Sequence, residues 1–192
     1  MQKGYSPAIL AAVAALLCGG CGGGSGPKLT GAPVVRGSDG REYRVLEKGP
    51  YKAYYDSAGR VDRLEYDSNG DGRTDQIAYY DGAASPRRLE IDSDFDGRVD
   101  RWETYDENGG LVSVGTSQKH GDRPDVWTFR GPGGETQRVE IDSNGDGRVD
   151  RWQRWEGARL VTEDVDSDGD GKPDHRLKYD AHGKVTGIET IR

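Results

Sequence analysis

A nine-residue acidic motif recurs four times in this chain, and its spacing constrains the fold more than any other feature. The copies are DSNGDGRTD at 67–75, DSDFDGRVD at 92–100, DSNGDGRVD at 142–150 and DSDGDGKPD at 166–174. Their starts lie 25, 50 and 24 residues apart, which marks an internal repeat of about 25 residues. A further copy belongs at 117. There SQKHGDRPD (117–125) keeps the final Arg-Pro-Asp but lacks the acids of the first and third places.

A second punctuation alternates with the first. YDSAGR (55–60), YDENGG (105–110) and YDAHGK (179–184) share Tyr-Asp-x-x-Gly, and YDGAAS (80–85) and FRGPGG (129–134) hold the same place less well. Asp and Gly at these offsets build tight turns. The segments between, such as RLEID, RWETY, VWTFR, RVEID and RWQRW, are rich in β-branched and aromatic residues and read as strands of about five residues. No helical period occurs beyond the N-terminal segment. The predicted fold is all-β: an elongated antiparallel β-meander over 41–192, with units of strand, acidic loop, strand and tight turn. The pattern leaves an open ribbon, a spiral and a closed sheet as alternatives. Two places past each loop stand Ile77, Trp102, Trp127, Trp152 and Arg176. The first four predict an apolar stripe in the core. The competing reading is an aromatic platform for a glycan, with Trp155 added.

The acidic loops carry the chemistry. Calcium takes six to eight oxygen ligands, and a loop supplies them from alternate places around a glycine bend. In the first loop these are Asp67, Asn69, Asp71, the Arg73 carbonyl and Asp75. The second offers Asp92, Asp94, Asp96, the Arg98 carbonyl and Asp100. The third offers Asp142, Asn144, Asp146, the Arg148 carbonyl and Asp150, and the fourth Asp166, Asp168, Asp170, the Lys172 carbonyl and Asp174. Two like charges about 4 Å apart repel by about 1 kcal/mol even in water. A divalent ion turns that repulsion into a cross-link. Four Ca²⁺ would take the formal charge of -7 to about +1. All-oxygen ligation favours Ca²⁺ over zinc or copper, with Mg²⁺ second.

The pattern DxDxDGxxD resembles the calcium loops of thrombospondin type 3 repeats and of integrin-type FG-GAP propellers. Its first half is shared by EF-hands and dockerins. The EF-hand glutamate at place 12 is matched only by Glu103; Ala78, Gln153 and Leu177 stand there in the other loops. The resemblance therefore implies hairpin-type loops with the modest affinity of extracellular modules, roughly 10⁻⁴ to 10⁻³ M. The YDxxGR turns resemble the YD repeats of bacterial surface proteins.

The N-terminus predicts targeting. AILAAVAALL (8–17) is too short to span a bilayer and reads as a signal-peptide core. LLCGGCGGGSG resembles a bacterial lipobox, with Cys21 as the lipidated residue and Cys18 as the alternative. This divides the chain into a signal peptide (1–20), a lipidated Cys and flexible linker (21–40) and the repeat domain (41–192). Gly22 after Cys21 implies outer-membrane sorting in a bacterial cell envelope. Net negative charge disfavours nucleic acid. His120, His175 and His182 lie in or beside loops without Cys partners, and no catalytic motif occurs. Ser68, Ser93, Ser143 and Ser167, at place 2, read as turn residues pointing away from the ion. The expected function is a calcium-binding, membrane-anchored lipoprotein with a structural or adhesive role and an unknown surface partner or glycan; the alternative is a calcium-responsive or carbohydrate-binding module, and an enzyme is not expected.

Overall fold

A computed structural model describes residues 29–83, 85–118 and 121–191. The signal segment, Cys18, Cys21, Gly22 and His120 lie outside the described residues. The fold is all-β with no helix among the described residues, and its fourteen strands lie in one open antiparallel sheet in chain order. This is the predicted meander. It starts earlier than expected, because Val34–Arg36, placed in the linker by the sequence, pairs with Glu42–Arg44.

The chain divides into two compact units: one up to Gly97 with Glu107–Gly109, the other Arg98–Asp106 with Gly110 onwards. The first holds β1 (Val34–Arg36), β2 (Glu42–Lys48), β3 (Tyr51–Tyr55), β4 (Val61–Tyr66), β5 (Gln76–Tyr79) and β6 (Arg88–Ile91). The second holds β7 (Arg101–Tyr105), β8 (Leu111–Thr116), β9 (Val126–Arg130), β10 (Thr136–Ile141), β11 (Arg151–Glu156), β12 (Arg159–Val165), β13 (His175–Tyr179) and β14 (Val185–Thr190).

The tight turns form for a local reason. Asp56 Oδ1 accepts the Ala58 and Arg60 N–H groups, each at 2.9 Å, while Gly59 takes φ +78°. Asp180 repeats this with His182 and Lys184, at 2.9 and 3.0 Å. A register shift accompanies each, at Tyr54/Tyr55 and Lys178/Tyr179. That combination is the three-residue hairpin with a bulge.

Residues paired directly across strands share a face. In the first unit Ala53, Leu64, Ala78 and Leu89 are successive partners across β3 to β6, and each is 1% exposed or less. This row is the core there. The opposite face gathers Tyr43, Val45 and Tyr54, with the Arg63 guanidinium 3.6 Å from the Tyr54 ring centre and Nε bonded to Glu65 at 3.1 Å.

In the second unit Glu103, Val114, Thr128, Val139, Gln153 and Glu163 form a row of successive partners across β7 to β12, with polar members. Both acids are satisfied. Glu103 is bonded by Arg101 and Tyr105, and Glu163 accepts from Tyr179 at 2.8 Å and Gln153 at 3.1 Å. The predicted core stripe is corrected here. Trp102, Trp127 and Trp152 do share a face, separated by Gly115 and Glu140, but all three are only half-buried. Val114, on the other face, is the most buried apolar side chain of this row. The tryptophan face also carries the Arg138–Glu140 and Arg176–Asp164 pairs, whose charges keep it from closing as a core.

Two measurements test this arrangement. Leu64→Ala should cost about 2–5 kcal/mol in denaturant melts, the loss expected for a buried leucine. Burial, then the bond to Glu90, pushes the Tyr79 phenol up to about 12; burial and Glu163 do the same for Tyr179. A raised folded value gives stability that is complete below the unfolded value, about 10, and is lost as pH rises towards the folded one. Absorbance titration of tyrosinate should show this late pair together with a falling melting temperature above pH ~10.

Candidate metal loops

Each acidic loop is wound around its own carboxylates. In the first, Asp67 accepts Gly70 N–H at 2.6 Å on one oxygen and Gly72 N–H at 2.9 Å on the other. Asp142 does the same with Gly145 and Gly147, at 2.6 and 2.7 Å, and Asp166 with Gly169 and Gly171, both at 2.7 Å. The glycines supply left-handed backbone, φ +79° at Gly70 and +87° at Gly72, which other residues rarely adopt. Asn69 accepts Asp71 N–H, and Asp71 accepts Arg73 N–H, both at 2.8 Å. The third and fourth loops repeat this with Asn144, Asp146 and Arg148, and with Asp168, Asp170 and Lys172.

Place 9 closes the loop. Asp75 Oδ2 accepts Ser68 N–H, Ser68 O–H and Asn69 N–H at 2.7, 2.6 and 3.1 Å. Asp150 binds Ser143 and Asn144 in the same way, and Asp174 binds Ser167. The sequence missed this role for serine. Its signal was there, because serine holds place 2 in all four loops. In these three loops it clamps the closing acid and is more than a turn former.

Two loops bring three carboxylates together, with oxygens within 4.8 Å of one another. One set is Asp166, Asp168 and Asp174. The other is Asp92, Asp94 and Asp100. Both sets could hold a metal ion. They use places 1, 3 and 9; the place-5 acids Asp96 and Asp170 are not in them. The first and third loops carry Asn at place 3 and so keep two acids at these places. Asp150 Oδ1 and Asp92 Oδ1 are buried without a hydrogen-bond partner among the described residues. Such an oxygen loses its hydration without compensation unless a cation or donor meets it. At Asp166 burial and the Asp174 charge push the carboxyl up, but the Gly171 and Gly169 N–H groups outweigh them, and it sits below the usual range.

Place 12 takes no part in the loops. Ala78 lies in the core row, and Glu103 is held by its own strand neighbours. The second loop departs at place 4, where Phe95 takes φ +64° in place of glycine and is 48% exposed. In the degenerate copy the described residues keep two loop bonds with fewer acids. Asp125 still accepts Gln118 N–H at 3.0 Å, and the Ser117 hydroxyl accepts Gly121 N–H at 2.9 Å in place of the missing carboxylate.

Backbone bonds tie neighbouring loops within each unit. Asp92 N–H reaches Asp75 O at 2.7 Å, Asp142 N–H reaches Asp125 O at 2.8 Å, and Asp166 N–H reaches Asp150 O at 2.9 Å. Arg123 also lies against the next loop, donating to Gly145 O at 3.4 Å; a Cβ on Gly147 would fall 2.1 Å from its guanidinium.

No family model and no curated protein matches the chain. Among solved structures, TarM matches over 53% of this chain and 20% of its own, at 14% identity and a TM-score of 0.43. A mutant of S. aureus TarM with fondaparinux, α-GlcNAc-glycerol and UDP matches at 13% identity, with the same coverage and TM-score. The accessory secretory protein 1, 2 and 3 structure of Streptococcus pneumoniae matches over 59% of this chain and 19% of that chain, at 9% identity and a TM-score of 0.37. The chain thus spans about a fifth of each of these proteins, and likeness at this level carries no functional argument.

The loop geometry makes its own prediction. Asp142→Ala leaves the Gly145 and Gly147 N–H groups without their acceptor. It should cost roughly 1–3 kcal/mol in urea melts run in chelator, before any ion is considered.

Proposed function

We propose that this chain is a calcium-binding β-repeat protein, held in a bacterial cell envelope by a lipid on Cys21, and that its role is structural or adhesive and not enzymatic. One observation supports the metal most directly. Three carboxylates converge at Asp166, Asp168 and Asp174, while in the sister loop the closing acid Asp150 keeps a buried oxygen without a partner. Oxygen-only ligands and a flexible glycine loop suit Ca²⁺ better than Mg²⁺, which demands a stiff octahedron. Asp67, Asn69 and Asp75 would hold one ion; Asp92, Asp94 and Asp100 a second; Asp142, Asn144 and Asp150 a third; Asp166, Asp168 and Asp174 the fourth. The place-5 acids and the place-7 carbonyls would complete each shell.

The ion's role is structural in this reading. Each acidic loop already winds on backbone hydrogen bonds to its own carboxylates. Calcium would therefore tighten loops that form without it, at the edge of a sheet whose second unit has a polar core row. Thermal melts followed by circular dichroism should show a higher melting temperature in millimolar Ca²⁺ than in EDTA, with β-structure retained in both. Equal melting temperatures would remove the metal from the account. For the anchor, labelling with a fatty acid in a bacterial host should be lost in Cys21→Ser and kept in Cys18→Ser; the reverse result would move the lipid to Cys18.

A further inference from the structure

The first unit contains a polar groove that the metal loops do not use. One lobe, of about 360 Å³, is lined by Asp39, Tyr43, Asp62, Arg63, Tyr79 and Asp81, among others. A second, of about 510 Å³, shares Arg41, Tyr43, Asp62 and Asp81 with it and extends over the turn at Arg60. Both volumes fall in the range of small-ligand sites.

The walls are held rigidly. Tyr43 donates its hydroxyl to Asp39 at 2.6 Å, and Asp39 also accepts Arg41 N–H at 3.0 Å. Arg63 is stacked on Tyr54 and bonded to Glu65. Tyr79 is fixed by its hydroxyl bond to Glu90 at 2.9 Å. Two acids are less engaged. Asp62 has one long ion pair, 3.6 Å to Arg63, and burial followed by repulsion from Asp81 and Asp39 raises its carboxyl. Asp81 makes no hydrogen bond or ion pair among the described residues. The equivalent Asp56 caps its turn; Asp81 instead sits at φ +50° beside the groove. Groups locked by packing beside groups with spare bonding capacity make a preorganised site.

The lining selects a ligand class. A wall of Asp, Arg and Tyr offers no apolar pocket. Carboxylates outnumber guanidinium groups in both lobes, which repels phosphates and polyanions. The guanidinium groups of Arg41 and Arg63 stand in the same wall and oppose a bare metal ion. Side-by-side acceptors and donors suit vicinal hydroxyls, each of which both donates and accepts. We propose that this groove binds a neutral oligosaccharide, with Asp62 and Asp81 accepting from its hydroxyls and Arg41 and Arg63 donating to them.

The test uses the full chain in saturating Ca²⁺ and again in EDTA, with NMR titration of cellotetraose, maltotetraose and chitotetraose. At least one tetrasaccharide should shift amides at 37–43, 62–63 and 79–82 in both conditions. Asp62→Ala and Asp81→Ala should each weaken that binding roughly tenfold or more, the loss expected for a charge-assisted hydrogen bond. Asp81 is exposed and makes no internal bond, so its variant keeps the fold. No shift with any of the three sugars, shifts confined to the Trp102–Trp152 face, or unchanged affinity in Asp81→Ala would each overturn the proposal. Because binding is expected with and without Ca²⁺, its failure is distinct from failure of the metal reading.

Discussion

The structure depends on one recurring interaction: an aspartate at the head of three of the four acidic loops that accepts two glycine N–H groups. Asp67, Asp142 and Asp166 each use both carboxylate oxygens in this way. The bond fixes a bend that only left-handed residues can take, and so aims the following strand back along its predecessor. Once the bend is set, the closing acid at place 9 meets the serine at place 2, and the backbone N–H of the next loop reaches the carbonyl of the last. The acids therefore do two jobs. They bond the backbone, and they leave lone pairs facing one another.

Those two jobs explain a fold with little apolar material. Hydrophobic residues make up 32% of the chain, and the cleanest aliphatic row, Ala53–Leu64–Ala78–Leu89, lies in the first unit. In the second unit, Glu103 and Glu163 stand in the corresponding row and are satisfied by arginine, tyrosine and glutamine. A buried acid with partners is tolerable; without them it costs several kcal/mol. Cohesion there rests on hydrogen-bonded turns, the loop ladder and paired charges as much as on burial.

The meander, the repeat length and the loops themselves were legible in the sequence, because turn chemistry is local and recurs at fixed offsets. What stayed hidden depends on facing. Trp102, Trp127 and Trp152 were predicted to be core, since large apolar residues at a fixed offset usually are. Their neighbours decide otherwise: Glu140 stands between two of them, and Arg138 and Arg176 share their face. Single-sequence reading gives the offset but not which side of the sheet is covered. The role of Ser68, Ser143 and Ser167 was missed for a related reason, because their partner lies seven residues on, across the bend. The groove at Asp62 and Asp81 had no motif at all. It arises where the turn at 80–85 departs from the repeat, so that Asp81 no longer caps its own backbone.

The most direct test of the account is the number of calcium ions bound per chain. Equilibrium dialysis against millimolar free Ca²⁺, read by elemental analysis, should give four ions, falling to three in Asp150→Ala. The loop at 117–125 should contribute none. A chain that retains no calcium at that concentration would contradict the central claim, and the converging acids would then be features of the backbone bend alone.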